Sequence, residues 1–178
     1  MIKLNDVKAA AGEISSYVRR TPLWKSETLS TRLGTNVYLK MEMFQKTGSF
    51  KPRGAFNQML ARGKDALGKG VVAVSGGNFA QGVAYASRML GVDAIICMPE
   101  DTPQNYIDAT RGYSATIDLS PDIQTAIIRY NDLADQGRAA LHPLIIPIRW
   151  PGLVLSRWKF LKTFQKLLTS LSASAVVD

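Results

Sequence analysis

Apolar and polar positions divide the 178-residue chain into helices and short strands in succession. Val7, Ala10, Ala11, Ile14 and Val18 recur at helical spacing, which predicts an amphipathic helix over 6–20, broken by Thr21-Pro22-Leu23. Ser26 through Leu33 predicts a short second helix that Gly34 stops. Asn36 to Glu42 reads as a strand, and Pro52 to about Arg62 as a helix ending around Gly63. Val71-Val72-Ala73-Val74, rich in β-branched residues, suits a strand covered on both faces. A helix from Phe79 to Leu90, closed by Gly91, leads to a strand over 92–98. Pro99 to Pro103 opens a helix reaching Arg111, and a strand over 113–119 and a helix over 122–134 follow. Strands alternating with helices of this length predict an α/β fold with a parallel sheet and right-handed crossovers.

Two stretches in this pattern carry chemistry. In the first, Gln45 to Phe56, a loop feeds Lys51 onto the first turn of a helix. Pro52 suits the first helical position, where its missing N–H has no partner to lose, and Ser49 is the expected cap. Lys51 then lies at the positive end of the helix dipole, where a helix built for stability alone would carry an acid. That placement lowers an amine's pKa and frees its lone pair to attack a carbonyl, as in Schiff-base lysines. The plain alternative is an exposed lysine at a helix start.

The second stretch, Ser75-Gly76-Gly77-Asn78, falls between a strand's carboxyl end and a helix's amino end, where open α/β sheets bind ligands. Two glycines admit a ligand close to the backbone, and the helix N-terminus offers N–H groups to a carboxylate or phosphate. The stretch is neither the GxGxxG dinucleotide fingerprint nor a P-loop. An ordinary strand-to-helix turn is the plain alternative.

Composition narrows the field. The opening residues, Met1 to Asp6, lack a signal-type apolar run, and no stretch has the length of a membrane span, so a cytoplasmic protein is expected. Cys97, the single cysteine, sits in an apolar strand and reads as a core thiol. With one cysteine and one histidine, His142, neither a His/Cys zinc site nor a Ser-His-Asp triad is expected. The net charge is +8, yet residues 138–178 carry six basic residues against one acid. Residues 1–137 are therefore close to neutral, and no nucleic-acid partner is expected.

Arg20-Thr21-Pro22-Leu23, Leu29-Ser30, Val37-Tyr38-Leu39-Lys40-Met41-Glu42, the Ser49-to-Ala55 stretch and Ser75 through Ala84 occur in an order that resembles one family. They look like the pyridoxal-phosphate-dependent serine/threonine dehydratases and serine racemases, of the tryptophan-synthase β (type II) fold. The likeness runs from about residue 15 to about residue 143. It implies a three-layer parallel sheet: residues 1–70 would begin the large, lysine-bearing domain and 71–143 would form the whole small domain, leaving 144–178 as a divergent tail. It implies pyridoxal phosphate as cofactor, an amino acid substrate and a homo-oligomer. By motif position, Lys51 would hold the cofactor and shuttle the substrate's α-proton, with Phe50 beside it, and Asn78 would bond the cofactor's phenolic oxygen. Ser75 and the N–H groups of Gly76, Gly77, Asn78 and Phe79 would hold the substrate carboxylate. The implied reaction turns serine or threonine into a 2-oxo acid and ammonia. Pro52, where sulfhydrylase-type relatives usually have aspartate, favours the dehydratase branch. Gly76 stands where racemases carry a second serine, which favours elimination. Phe79 stands where the family usually has histidine.

The family's glycine-rich phosphate loop and the residue at the pyridine nitrogen fall beyond the matching region, so weakened cofactor affinity is expected. After His142-Pro143 the chain turns basic and serine-rich, and a shifted reading frame near 139–144 with a truncated product is the expectation. Val154, Trp158, Leu161, Phe164, Leu168 and Leu171 recur at helical spacing in that tail. They suit either a basic amphipathic helix for a partner or anionic membrane, or an accidental helix covering apolar surface; the second is favoured. Two functions stay open: a dehydratase-class enzyme, or a non-catalytic module that binds through its tail.

Overall fold

The structure, a computed structural model of the chain, describes residues 3–143; the tail, with its expected helix over 154–171, lies outside them. The described residues fall into two compact units, one from the start to Pro22 and from Met41 onward, the other Leu23–Lys40.

The Leu23–Lys40 unit holds β1 (Leu23–Lys25), α2 (Glu27–Leu33) and β2 (Tyr38–Lys40). Ser26 caps α2 by accepting from the Leu29 N–H, and Gly34, left-handed at φ 63°, ends it. The strand expected over 36–42 is shorter, and it pairs antiparallel with β1, which the sequence pattern did not mark.

In the other unit, α1 (Leu4–Ile14) ends well short of the expected Arg20. The Ser15 hydroxyl donates to the Gly12 carbonyl, a local bond by which serine competes with further helix. Tyr17 and Val18 leave the helix but still pack on the core. α3 (Lys51–Ala66) breaks at Gly63, whose φ of 76° no helix accommodates, as its glycine suggested. β3 (Val71–Val74), α4 (Asn78–Leu90), β4 (Ala94–Pro99), α5 (Gln104–Arg111), β5 (Thr116–Ser120) and α6 (Ile123–Asp135) follow, close to their expected positions. Asp122 caps α6 through the Thr125 N–H at 2.7 Å. The chain then adds a strand with no sequence signal, β6 (Ala139–Ala140).

The four strands run parallel in the order β5-β4-β3-β6. Side chains alternate across the sheet, so one strand feeds two cores. Val71, Ala73, Ile96 and Met98 join Phe56, Met59, Val83 and Ile107 from α3, α4 and α5. Val72 and Cys97 turn to the other face and meet Ala126 and Leu133 of α6. The result is the expected three-layer arrangement of helices on both sides of a parallel sheet. Cys97 is fully buried, and burial pushes its thiol up to about 11, so it is an inert core residue.

Phe56 ties the larger core together. It is fully buried, stacks on Tyr17 at 4.7 Å and meets Tyr85 edge-on at 5.7 Å. Phe56→Ala is expected to cost about 3–5 kcal/mol by leaving a cavity, whereas Ile128→Ala on the exposed face of α6 should cost about 0.5 kcal/mol or less. Urea unfolding followed by circular dichroism checks both; equal midpoints for the two variants would contradict this account of the core.

Candidate active site

The sequence builds the lysine turn from its flanks inward. Gln45, buried, imitates a backbone pair: its side chain accepts from the Arg19 N–H at 2.8 Å and donates to the Arg19 carbonyl at 2.7 Å. Arg53 grips Glu42 with two bonds of 2.9 Å, a bidentate pairing that fixes the start of α3. Between these anchors Thr47 and Gly48 take left-handed conformations, φ 63° and 67°. Thr47 does so without the glycine that such a φ favours.

Lys51 is the first residue of α3 and Phe50 its N-cap, with no side chain capping the helix. Ser49, the expected cap, lies one residue too early in an extended conformation, so the cap is not made. Pro52 takes the second helical position rather than the first, still without losing a helical bond. The hydroxyls of Ser49 and Thr47 are buried and have no hydrogen-bond partner. Such a group costs roughly 1–3 kcal/mol, and two beside one lysine fit a polar ligand group received at that loop.

The Lys51 amine donates to the Pro143 carbonyl at 3.1 Å and lies 5.0 Å from the Phe50 ring centroid and 5.8 Å from that of Phe79. The carbonyl and the ring faces favour the cation. Burial disfavours it and wins, holding the amine below the ordinary lysine value. The lowered pKa expected from the helix start is therefore present, with desolvation as its main cause.

β3 ends at the turn of Ser75, Gly76 and Gly77, and the Gly77 N–H donates to the Ser75 hydroxyl at 3.2 Å. Asn78, exposed, is the first residue of α4, and Phe79, second in the helix, is buried. The first-turn N–H groups of a helix have no acceptor within it, so α4 presents donors and a positive dipole end there. Phe50, Lys51 and Phe79 are thus brought together, while Ser75 to Asn78 form the strand-to-helix turn that leads into Phe79. A Cβ built on Gly82, in the next turn of α4, would come within 3.0–3.1 Å of Lys51 and Pro52 backbone and Cβ atoms. The two helices touch backbone to backbone at the lysine. An amine of lowered pKa beside a helix N-terminus suits carbonyl chemistry on a substrate that carries an anionic group.

Three contributors escaped the sequence pattern. Thr102, which follows β4, crowds Gly76: a Cβ there would stand 2.7 Å from the Thr102 Oγ1. Pro143 holds the lysine, and Gln58 holds His142 by both its N–H and its carbonyl. Thr102 had a usable signal, since β4 neighbours β3 and its carboxyl end faces the same edge of the sheet. The other two had none, being backbone contacts. A separate open cleft of about 230 Å³, lined by Ser87, Arg88 and Tyr113 among others, lies at the amino end of β4 and contains none of these residues.

A parallel α/β sheet with a half-buried lysine beside a glycine turn defines a class of carbonyl-chemistry site. The comparisons with known proteins name it. The profile of pyridoxal-phosphate dependent enzymes matches residues 14–152, and the chain belongs to that family, whose cofactor is pyridoxal phosphate. It is 41% identical over 146 residues to the catabolic L-threonine dehydratase of Staphylococcus aureus (strain USA300), covering 80% of this chain and 42% of the relative. Maize serine racemase superposes with a TM-score of 0.75 at 30% identity, over 80% of this chain and 44% of the racemase. The processed form of threonine deaminase isoform 2 from Solanum lycopersicum gives 0.71 at 35% identity, over 80% of this chain and 41% of the deaminase. The chain thus spans less than half the length of these relatives.

The lysine's environment yields a direct expectation. In amine labelling resolved by peptide across a pH series, Lys51 should reach half-reaction below the ~10.4 of an ordinary lysine. A midpoint at or above that value would remove the case for a desolvated amine.

Proposed function

We propose that the chain is the lysine-bearing part of a pyridoxal-phosphate-dependent ammonia-lyase of the dehydratase class. Its substrate is a 3-hydroxy amino acid such as threonine or serine, released as a 2-oxo acid and ammonia. The observation that carries this reading is the half-buried Lys51 amine, of lowered pKa, packed against α4 beside the turn at its N-terminus. The 41% identity to a threonine dehydratase supports the choice of substrate. Residues 1–70 are assigned to a large domain, 71–143 to a small one, and the setting to the cytoplasm.

The bound cofactor supplies the electron sink that makes a substrate's α-proton acidic. The chain's residues bind, orient and move protons. Lys51 would anchor the cofactor, and its Nζ would take the α-proton and pass it to the β-hydroxyl, which departs with its bonding pair as water; hydrolysis of the released enamine by one water then gives the 2-oxo acid and ammonia. Phe50 packs beside the lysine. Asn78, at the start of α4, would donate to the cofactor's phenolic oxygen. The substrate carboxylate rests on Ser75 and the N–H groups of Gly76 to Phe79, where helix dipole and free donors stabilise an anion. A neutral Lys51 is the form able to accept a proton, so activity should rise with pH through the lowered lysine pKa.

A second reading is a non-catalytic module. Adding pyridoxal phosphate to the full chain separates the two. The enzyme reading expects a visible absorbance band that Lys51→Ala abolishes, together with 2-oxo acid released from L-threonine. A band without keto acid would leave a binding module; no band would leave neither cofactor nor chemistry.

A further inference from the structure

Thr102 is a buried group that neither the fold nor the proposed chemistry uses. Only 7% of its surface is exposed, and its hydroxyl has no hydrogen-bond partner. Leaving a buried hydroxyl unpaired is costly, and a valine of the same shape would avoid the cost. The hydroxyl also has a direction. It points at Gly76, standing 2.7 Å from where a Cβ on that residue would lie, with the Thr102 methyl at 3.3 Å. At position 76, Thr102 from the turn after β4 occupies the space a side chain would need.

This places an unspent donor at the turn before α4. β3 and β4 run parallel with Val74 opposite Cys97, so both chains leave the sheet at the same edge. Ser75 already accepts from the Gly77 N–H, and the α4 N-terminus supplies further backbone donors. From the contact with Gly76, the Thr102 oxygen lies within roughly 5 Å of the Gly76 nitrogen. One oxygen accepting from both groups at about 2.8 Å each spans that separation.

We infer that the Thr102 hydroxyl is part of the anion subsite at this turn and donates to the substrate's carboxylate alongside the turn's N–H groups. The inference rests on the reading of Ser75 to Phe79 as the carboxylate site. It adds a side chain from the turn after β4, whose O–H bonds a charged carboxylate more strongly than a neutral amide carbonyl. Bond directionality supports the assignment: the turn's N–H donors are backbone groups, and the threonine adds a donor that does not depend on the helix dipole.

The test uses the full chain, with L-threonine and L-threoninamide as probes, titrated by calorimetry or chemical shift. Thr102→Val should weaken L-threonine binding about tenfold and L-threoninamide binding clearly less, while Thr102→Ser keeps the preference. The same Thr102→Val chain should unfold at an equal or higher urea concentration, because it loses only an unpaired hydroxyl. Unchanged L-threonine affinity in Thr102→Val would overturn the inference and leave the carboxylate turn standing. An unaltered chain that does not prefer L-threonine over its amide would overturn the reading of the turn, and this inference with it. A lowered urea midpoint would also overturn it, by making the hydroxyl a structural bond.

Discussion

The approach of α4 onto the first turn of α3 is the contact on which the site depends. At Gly82 a Cβ would be tight, 3.0–3.1 Å from Lys51 and Pro52 atoms, so the backbone there would have to give. A glycine inside a helix costs about 1 kcal/mol relative to alanine, so packing must outweigh propensity at this position. Phe79 lies three residues earlier and therefore on the same helix face. Once Gly82 seats against the lysine's backbone, Phe79 is carried to the amine, 5.8 Å away. The same seating brings the N-terminus of α4, and with it the turn after β3, to the lysine's end of α3. The close approach at Gly82 thus contributes to holding sheet, turn and lysine together.

A second constraint runs along α3. Arg62 donates to the Ala140 carbonyl at 2.8 Å, Gln58 pairs with His142 through both backbone groups, and Lys51 reaches the Pro143 carbonyl. Residues 51, 58 and 62 are spaced by seven and four, close to one helical face. They hold the segment that leaves β6 as a ladder holds a rope. Releasing the amine forfeits one bond, worth about 0.5–1.5 kcal/mol net, while Gln58 and Arg62 keep their grip. Lys51 can therefore be diverted to chemistry without freeing the segment.

The elements that were legible in the sequence are those with a strong local cause. The β-branched run at Val71 to Val74, the glycines at 34, 63 and 91, and the aspartate at 122 act within a few residues, and each marks a boundary in the fold. What stayed hidden was decided at long range. β6 is two alanines that become a strand because Gly70 and Val72 carbonyls accept from Ala139 and Leu141. Ser49 has the chemistry of a cap but lies one residue too early, because the left-handed pair Thr47-Gly48 sets where the helix begins. For the site, Lys51 and the glycine turn were visible by residue type. Thr102 was marked only by its place after β4, since its contact with Gly76 joins the turns that follow two different strands.

The unpaired groups make a separate case for where ligands go. Among the described residues, the buried side-chain atoms without a partner belong to Thr47, Ser49 and Thr102. Two flank the lysine and the third crowds the glycine turn. A core under selection for stability alone would replace each with an apolar residue of similar size, because an unpaired buried hydroxyl contributes nothing and costs desolvation. A threonine held at φ 63° adds a further unfavourable term in the lysine turn. Bonds to a ligand remove such terms where bonds within the chain do not. The cost is thus a physical reason, independent of the family that the sequence resembles, to look for a ligand at these groups.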